Sequence, residues 1–399
     1  MDKINLVSEI RELKNQLSYS KNIGFFFGAG TSCALGIPNV EQLTIEIEAA
    51  LIDDFKTHFG LIKTDLIPAK APRIVNIEDI LNHIRRIREL TGEAAVKSYA
   101  GVSGEAAKKL DKEICTKIYS LILKKEKVAD LDTTKKFFAW LSILKGEFSK
   151  EVFTTNYDLI IEKSMESSQI PYFDGFVGAY EPFFWQESID KLVGNNDLTK
   201  NWIRLWKIHG SLSWFWKEDA KAKSPKIIRI GKVENIEDEK GELVIYPSKE
   251  KYDSSKKQPF VAYFDRLKNY LLNGELLFIF TGYSFSDQHI NEIIFNCLRQ
   301  NNRLSALVFF FKDEEVENLH NLTSSYMNLN VFGPKKAIIN GNLSEWEFSE
   351  LSDFKKDKKQ FDHFWNEVDS KLILGDFKAL VNFFITNSGK KGAIESIVK

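Results

Sequence analysis

The chain is poor in cysteine: Cys33, Cys115 and Cys297 are its only thiols among 399 residues. They stand far apart in sequence and form no Cys-x-x-Cys pair. A zinc ribbon and a disulfide framework are therefore excluded, no metal is expected, and a reducing compartment fits. Long hydrophobic runs are also missing, none approaching the roughly 18 residues that cross a bilayer. The N-terminal "MDKINLVSEIRELKNQL" reads as an amphipathic helix charged throughout, where a signal peptide has an apolar centre. A cytoplasmic location without membrane contact is the expectation. An excess of one charge is absent too: the net charge is −1. Nothing global attracts a polyanion, and direct nucleic-acid binding is not indicated. What the chain does have is 43% hydrophobic residues, 31 of its residues being phenylalanine, against 28% charged. That describes a globular protein of about two domains, or one domain with a large insertion.

Four segments repeat one order: apolar strand, small or polar end, helix. They are "IGFFF" before "GAGTS", "EVFTT" before "NYDLIIEKSM", "LLFIF" before "TGYSFSDQHINEIIF", and "LSALVFFF" before "KDEEVENLHNL". Buried strands alternating with helices predict an α/β fold with a doubly wound parallel sheet. In such sheets ligands bind beyond the carboxyl ends of the strands. The small and polar residues of all four segments fall there.

Residues 41–148 read as a mainly helical insertion. "NIEDILNHIRRIREL" spaces Ile77, Ile80, Leu81, Ile84, Ile87 and Leu90 on one helix face behind Asn76 as N-cap, with Glu78 and Asp79 in the first turn. "KKLDKEICTKIYSLILKK" repeats the pattern, and "KKFFAWLSILKG" is a third helix stopped by Gly146. Residues 217–258 read as a long connection holding one strand-like segment, "ELVIYP". The expected layout is a core domain over 1–343 carrying that insertion, then a helical segment over 344–399. In that tail Phe361, Phe364, Trp365 and Val368 share helical spacing, and "KKDKK" at 355–359 reads as a solvated face.

In "FFFGAGTSCALGIPN", Gly28 and Gly30 allow a sharp turn and a close approach of ligand to backbone, and Thr31 and Ser32 can cap a helix. Taken alone this is equally an ordinary strand-to-helix turn, since Cys33 stands where a dinucleotide fingerprint has its third glycine. "FTTNYD" offers Asn156 and Asp158, which alone read more readily as a turn and a cap. "KIHGSLSW" offers His209, which alone reads more readily as a structural donor. Trp202, Trp206, Trp214 and Trp216 around it read as core or interface.

Together, and in this order, these stretches resemble the sirtuin family, and within it the prokaryotic NAD-hydrolase branch of antiviral defence systems. Gly28, Ala29, Gly30, Thr31 and Ser32, with Gly36, Ile37 and Pro38, match the loop that in the family holds the NAD pyrophosphate and closes over the nicotinamide end. Thr154 or Thr155 with Asn156 and Asp158 matches its Thr-x-Asn-x-Asp motif, and His209-Gly210 its His-Gly motif. Gly282, Tyr283 and Ser284 match a late Gly-x-Ser loop that receives the adenosine ribose. The resemblance implies that Asn156, His209 and Asp158 are catalytic, that the matched loop residues with Thr155 bind NAD as substrate, and that the product is ADP-ribose with nicotinamide. It further implies NAD depletion during phage infection. Because no large sensor domain fits in the chain, regulation would fall to a homo-oligomer or a separate partner such as a HerA-type ATPase.

The match departs from protein deacylases in two places. Two Cys-x-x-Cys pairs are missing, and Asn39 and Val40 replace the Phe-Arg that follows Gly-Ile-Pro there. Deacylase or ADP-ribosyl transferase activity, and a silent NAD- or ADP-ribose-binding regulatory module, stay as alternatives. Elementary chemistry fits cleavage: nicotinamide leaves as a neutral group from a cationic pyridinium, so no general acid is required for the oxocarbenium-like step. A fixed carboxamide (Asn156), a carboxylate near the nicotinamide end (Asp158) and a histidine proton acceptor (His209) are the residue types such a site needs.

Overall fold

In the computed structural model, the described residues are 2–70, 74–144, 148–190, 201–217, 226–231, 242–245, 258–323, 325–348 and 361–398. Three successive phenylalanines explain the architecture. Side chains of a strand alternate between faces, so Phe25 and Phe27 point into one core and Phe26 into another. Both faces of the strand Ile23–Phe27 are therefore buried, and all five of its residues are enclosed. A strand of this kind belongs at the centre of a helix-covered parallel sheet.

That is its position. The main sheet among the described residues runs Asp2–Asn5, Asn342–Glu347, Lys336–Ile339, Leu329–Phe332, Leu304–Phe309, Leu276–Thr281, Ile23–Phe27, Glu151–Thr154, Ile203–Lys207, Tyr172–Phe173. From Leu329–Phe332 to Tyr172–Phe173 every pairing is parallel. The four strands read from the sequence lie side by side, with Ile23–Phe27 between Glu151–Thr154 and Leu276–Thr281. The chain thus winds away from the central strand in both directions, and the fold is doubly wound α/β. One face carries the helices Leu6–Tyr19, Asp132–Ile143, Ile160–Ser167 and Phe377–Ser388, and the other carries Phe260–Leu272, Gln288–Gln300 and Asp313–Thr323.

Several sequence expectations need correction. The first residues are a strand, Asp2–Asn5, paired with Ser344–Glu347, and the helix begins only at Leu6, capped by Asn5 Oδ1 on Ser8 N–H at 3.0 Å. Leu90 is 59% exposed, off the buried stripe of its helix. In the tail, Phe361, Phe364 and Trp365 are buried, but not on a helix, and Val368 is 94% exposed. Trp365–Asn366 pairs with Lys371–Leu372, because Asn366 Oδ1 accepts from the N–H groups of Val368 and Asp369 and closes a turn. The helices lie later, at Phe377–Ser388 and Lys391–Val398. The "KKDKK" run and Gly146 lie outside the described residues.

Within 217–258 the strand expected in "ELVIYP" is present as Glu242–Ile245, but the described part of the region is sheet and not a long connection. Glu242–Ile245, Gly210–Lys217, Lys226–Arg229, Phe183–Phe184 and Phe176–Val177 form a second, antiparallel sheet in that order. Helices Val40–Ala50, Asp53–Lys70, Ile77–Thr91 and Gly104–Glu126 share a core with it through Leu212, Phe215, Ile228, Leu243 and Ile245. Asn76 caps its helix as expected, in a reciprocal box with Asp79. A buried cluster ties helices to sheet: Arg88 bonds Asp111 at 2.5 Å, Arg85 bonds the Asp111 carboxylate, and Arg85 Nη1 donates to Ile245 O at 3.0 Å. Burial opposes the Asp111 charge, but the two guanidiniums outweigh it and hold the carboxyl below its ordinary range. Asp132–Ile143, by contrast, sends Phe137 and Trp140 against Phe25, in the main-sheet core.

Candidate active site

Four neighbouring parallel strands end at the sequence motifs: Phe27 leads to Gly28, Thr154 to Asn156, Lys207 to His209 and Thr281 to Gly282. They are the central strand and three neighbours, and the winding direction reverses between Ile23–Phe27 and Leu276–Thr281, the kind of place where open α/β sheets bind ligands.

The glycines meet one another there. Gly28 N–H donates to Thr281 O at 3.0 Å and Gly30 N–H to Gly282 O at 2.9 Å. A Cβ on Gly28 would lie 2.3 Å from Gly282 O, and one on Gly30 2.7 Å from Gly282 Cα. Gly282, at φ +65°, would put its own Cβ 2.5 Å from Thr31 N. The sequence reading assigned the small residues to a ligand's approach; the backbone they demonstrably admit is that of the opposite loop. Ala29 and Gly30 remain exposed on the outer side of this contact.

Asn156 lies beneath the loop, only 6% exposed, rather than projecting into a solvent-filled cleft. Its Nδ2 stands 3.0 Å from Gly28 O, 3.0 Å from Thr31 Oγ1 and 2.8 Å from Ser32 Oγ. A carbonyl cannot donate, so Gly28 O fixes which side of the amide is nitrogen. Ser32 Oγ in turn donates to Asp158 Oδ2 at 2.7 Å, and Asp158 Oδ1 accepts from Ile160 N–H at 3.1 Å. Asp158 thus meets the first N–H of the following helix, as the cap reading expects, and in addition anchors Ser32. Thr154 Oγ1 bridges Phe27 O and Asn156 N–H, which leaves Thr155 as the half-buried member of the pair.

Three elements pin the Asn156–Asp158 loop. Lys207, 2% exposed, donates to Asp158 O and to Glu162 Oε1. Leu212 N–H donates to Tyr157 O at 2.9 Å. Glu126, the last residue of its helix, accepts from Leu159 N–H at 2.7 Å and pairs with Lys163. Burial first, and then the Asp158 charge, holds the Glu126 carboxyl above its ordinary range. The same two causes raise the Cys33 thiol.

His209 is the hinge between the sheets: Ile203–Lys207 belongs to the first and Gly210–Lys217 to the second. Gly210 is needed there, since its φ is +91° and a Cβ would lie 2.3 Å from Val244 O. Ile208 N–H donates to Thr154 O at 2.8 Å, which holds the histidine beside the Asn156 strand end. His209 Nε2 lies 3.2 Å from Asp287 Oδ2, while Asp287 Oδ1 accepts from His289 and Ile290 N–H at 2.9 and 3.2 Å. Burial alone would raise the Asp287 carboxyl; the hydrogen bond and charge of His209, then those two N–H groups, outweigh it and bring it down to about 2. The sequence reading did not single out Asp287, although an aspartate directly before "QHINEIIF" is a helix-start signal.

The remaining expected residues divide. Ile37 and Pro38 line a groove of ≈ 550 Å³ with Asn39, Gln42 and Lys125, and none of Asn156, Asp158, His209 or Asp287 lines it. Tyr283 is core: it is 6% exposed, packs on Phe26 at 4.6 Å, and donates its hydroxyl to Asn291 Oδ1. Ser284 is exposed, its Oγ 3.0 Å from Ser286 Oγ. Among the described residues no three His, Cys, Asp or Glu side chains gather as metal ligands, and no helix is long and apolar enough to cross a membrane.

Comparison with solved structures finds a Sir2 homologue in complex with NAD (TM-score 0.39, 13% identity, covering 77% of this chain and 84% of that one). It also finds a Sir2 homologue variant in complex with ADP-ribose (TM-score 0.37, 14% identity, 75% and 83%). At these scores the likenesses carry no weight for fold or chemistry, both of which rest on the geometry above. Comparison with curated proteins finds no match. Residues 150–331 match the family model of the SIR2-like domain, a span that holds the Asn156, His209 and Gly282 motifs and leaves the Gly28–Pro38 loop outside it.

Proposed function

We propose that this chain is a NAD hydrolase that cleaves the nicotinamide–ribose bond to give nicotinamide and ADP-ribose. One observation carries the reading: a buried carboxamide whose nitrogen lies within 3.0 Å of three acceptors and a carboxylate-paired histidine stand at adjacent strand ends, one and two strands from the central strand. Together they supply a rigid polar group and a proton acceptor. The exposed edge formed by Ala29 and Gly30 offers backbone for the pyrophosphate, and Thr155 and Ser284 offer hydroxyls beside it. Ile37 and Pro38 close the nicotinamide end in this proposal, and Tyr283 contributes backbone, its ring being spent on the core.

In the reaction, the C1′–N1 bond breaks with its electron pair going to nicotinamide. A water oxygen bonds to C1′ and its proton passes to His209. Asn156 holds the reacting end in place, and Asp158, bonded to Ser32, keeps the loop from shifting. The motif resemblance extends the proposal to NAD depletion in antiphage defence, with a homo-oligomer or a HerA-type ATPase as the controlling partner.

The test is incubation of the purified full-length chain with NAD, with products resolved by chromatography. Equal amounts of nicotinamide and ADP-ribose are expected, unchanged by an acetylated peptide. Peptide-dependent turnover would replace this reading with deacylation, and NAD binding without turnover would replace it with a regulatory module.

A further inference from the structure

We infer that Asp287 is a positioning residue for the reaction: it fixes His209 as the Nε2–H tautomer, so that proton transfer runs through Nδ1. The inference deepens the proposed hydrolysis and rests on it only for its kinetic consequence.

The carboxylate has two oxygens with separate tasks. Oδ1 accepts the His289 and Ile290 N–H groups and caps the helix Gln288–Gln300; Oδ2 faces His209 Nε2 at 3.2 Å. The cap explains one oxygen and leaves the other without a structural purpose. Serine or asparagine would cap the helix as well, so the cap alone does not require a carboxylate. The His209 contact does distinguish them. An ionised carboxylate only accepts, so Nε2 must carry the proton, and the basic lone pair lies on Nδ1. Ionisation is secure at neutral pH, since the Asp287 carboxyl titrates near 2. When His209 takes the proton of the attacking water, the imidazolium forms beside an anion already in place, at a side chain 22% exposed. The helix cap also locks the Asp287 rotamer. Aim and charge of the histidine are therefore set by the loop that follows Gly282, the same loop that packs against Gly28 and Gly30.

Asp287→Ser and Asp287→Asn separate the two tasks, because both keep the cap. Serine is too short to reach the ring, and asparagine can present an N–H to Nε2 and so favour the opposite tautomer. The readout is ¹⁵N NMR of the histidine side chains, with His209 assigned among the six histidines by difference from His209→Ala. In parallel, nicotinamide release is followed at saturating NAD. The inference expects the Nε2–H form in the wild type and the Nδ1–H form in Asp287→Asn. It expects kcat to fall about 10²-fold or more in Asp287→Asn and about tenfold or more in Asp287→Ser, with KM for NAD within about threefold and the far-UV circular dichroism spectrum unchanged in both, since both keep the cap. An identical His209 tautomer in wild type and Asp287→Asn overturns it, as does kcat within twofold of wild type in both variants. If the wild type releases no nicotinamide, the proposed hydrolysis fails, and the tautomer comparison alone decides the role of Asp287.

Discussion

Asn156 shows how closely stability and chemistry are joined at the level of single residues. Its amide satisfies Gly28 O, Thr31 Oγ1 and Ser32 Oγ at once, inside a nearly closed space. Asn156→Ala should therefore lower nicotinamide release by about 10²-fold or more, and also cost about 1–3 kcal/mol of stability from the buried hydrogen bonds it removes, although Gly28 O keeps Thr31 N–H and Oγ1 as donors. Urea unfolding measures the second effect. Gly28 is more severe, because its missing Cβ is replaced by rigid backbone at 2.3 and 2.4 Å. Gly28→Ala should destabilise the ligand-free protein by about 1–3 kcal/mol or prevent folding, and an unchanged Tm would show that the two loops can part. A pH effect belongs to Asp287. Its folded carboxyl titrates at about 2, below its ordinary 3.8, so its stabilisation is present above pH 4 and is lost as pH falls toward 2. The share is about 2 kcal/mol. Asp287→Asn should accordingly flatten stability against pH across that window.

The Gly28, Asn156 and Gly282 motifs were legible because each ends a strand that reads as a continuous apolar run, whereas His209 follows Ile203–Lys207, whose mixed "IRLWK" does not. Their partners were not legible. Nothing in "TGYSFSD" says that Asp287 reaches a histidine 78 residues earlier, since that contact exists only once two strands are placed in one sheet. The glycines were legible as glycines, yet the atoms they admit come from Gly282, far along the chain.

At the level of elements, Glu126 is the clasp between the helical layer and the Asn156 loop. Its carboxylate takes Leu159 N–H and Lys163 and has no exposed side-chain surface. Glu126→Gln keeps an acceptor for Leu159 and should stay within about 1 kcal/mol of wild type, whereas Glu126→Ala should lose about 1–3 kcal/mol. Denaturant midpoints compare the two. The four parallel strands could be read because burial on both faces makes them continuous apolar runs. Short strands that alternate, or that follow turns, left weaker marks. "IINGNLSEWE" does contain a hairpin signal, and Asn340 and Gly341 do both adopt positive φ, at 52° and 78°. The tail misled for a physical reason: Phe361, Phe364 and Trp365 share a buried face, but the Asn366 turn satisfies the backbone before a helix can continue.

In the whole molecule, the C-terminal aromatics belong to the main core. Phe384 stacks on Trp140 at 4.6 Å, Phe377 lies 5.4 Å from Phe27, and Asn342–Glu347 joins the first strand of the chain. Deleting residues 344–399 should therefore yield insoluble or unfolded protein, detected by far-UV circular dichroism and light scattering. It is not a clean test of assembly, and subunit number is better read from the intact chain. Turnover is expected to persist in a chelator, because no step of the proposed hydrolysis uses a metal. The most direct test of the account compares nicotinamide release by intact wild type and by His209→Ala at saturating NAD. The account predicts steady release by the wild type, with matching ADP-ribose, and a loss of about 10²-fold or more in a variant that still binds NAD. Near-equal rates in the two proteins would contradict it.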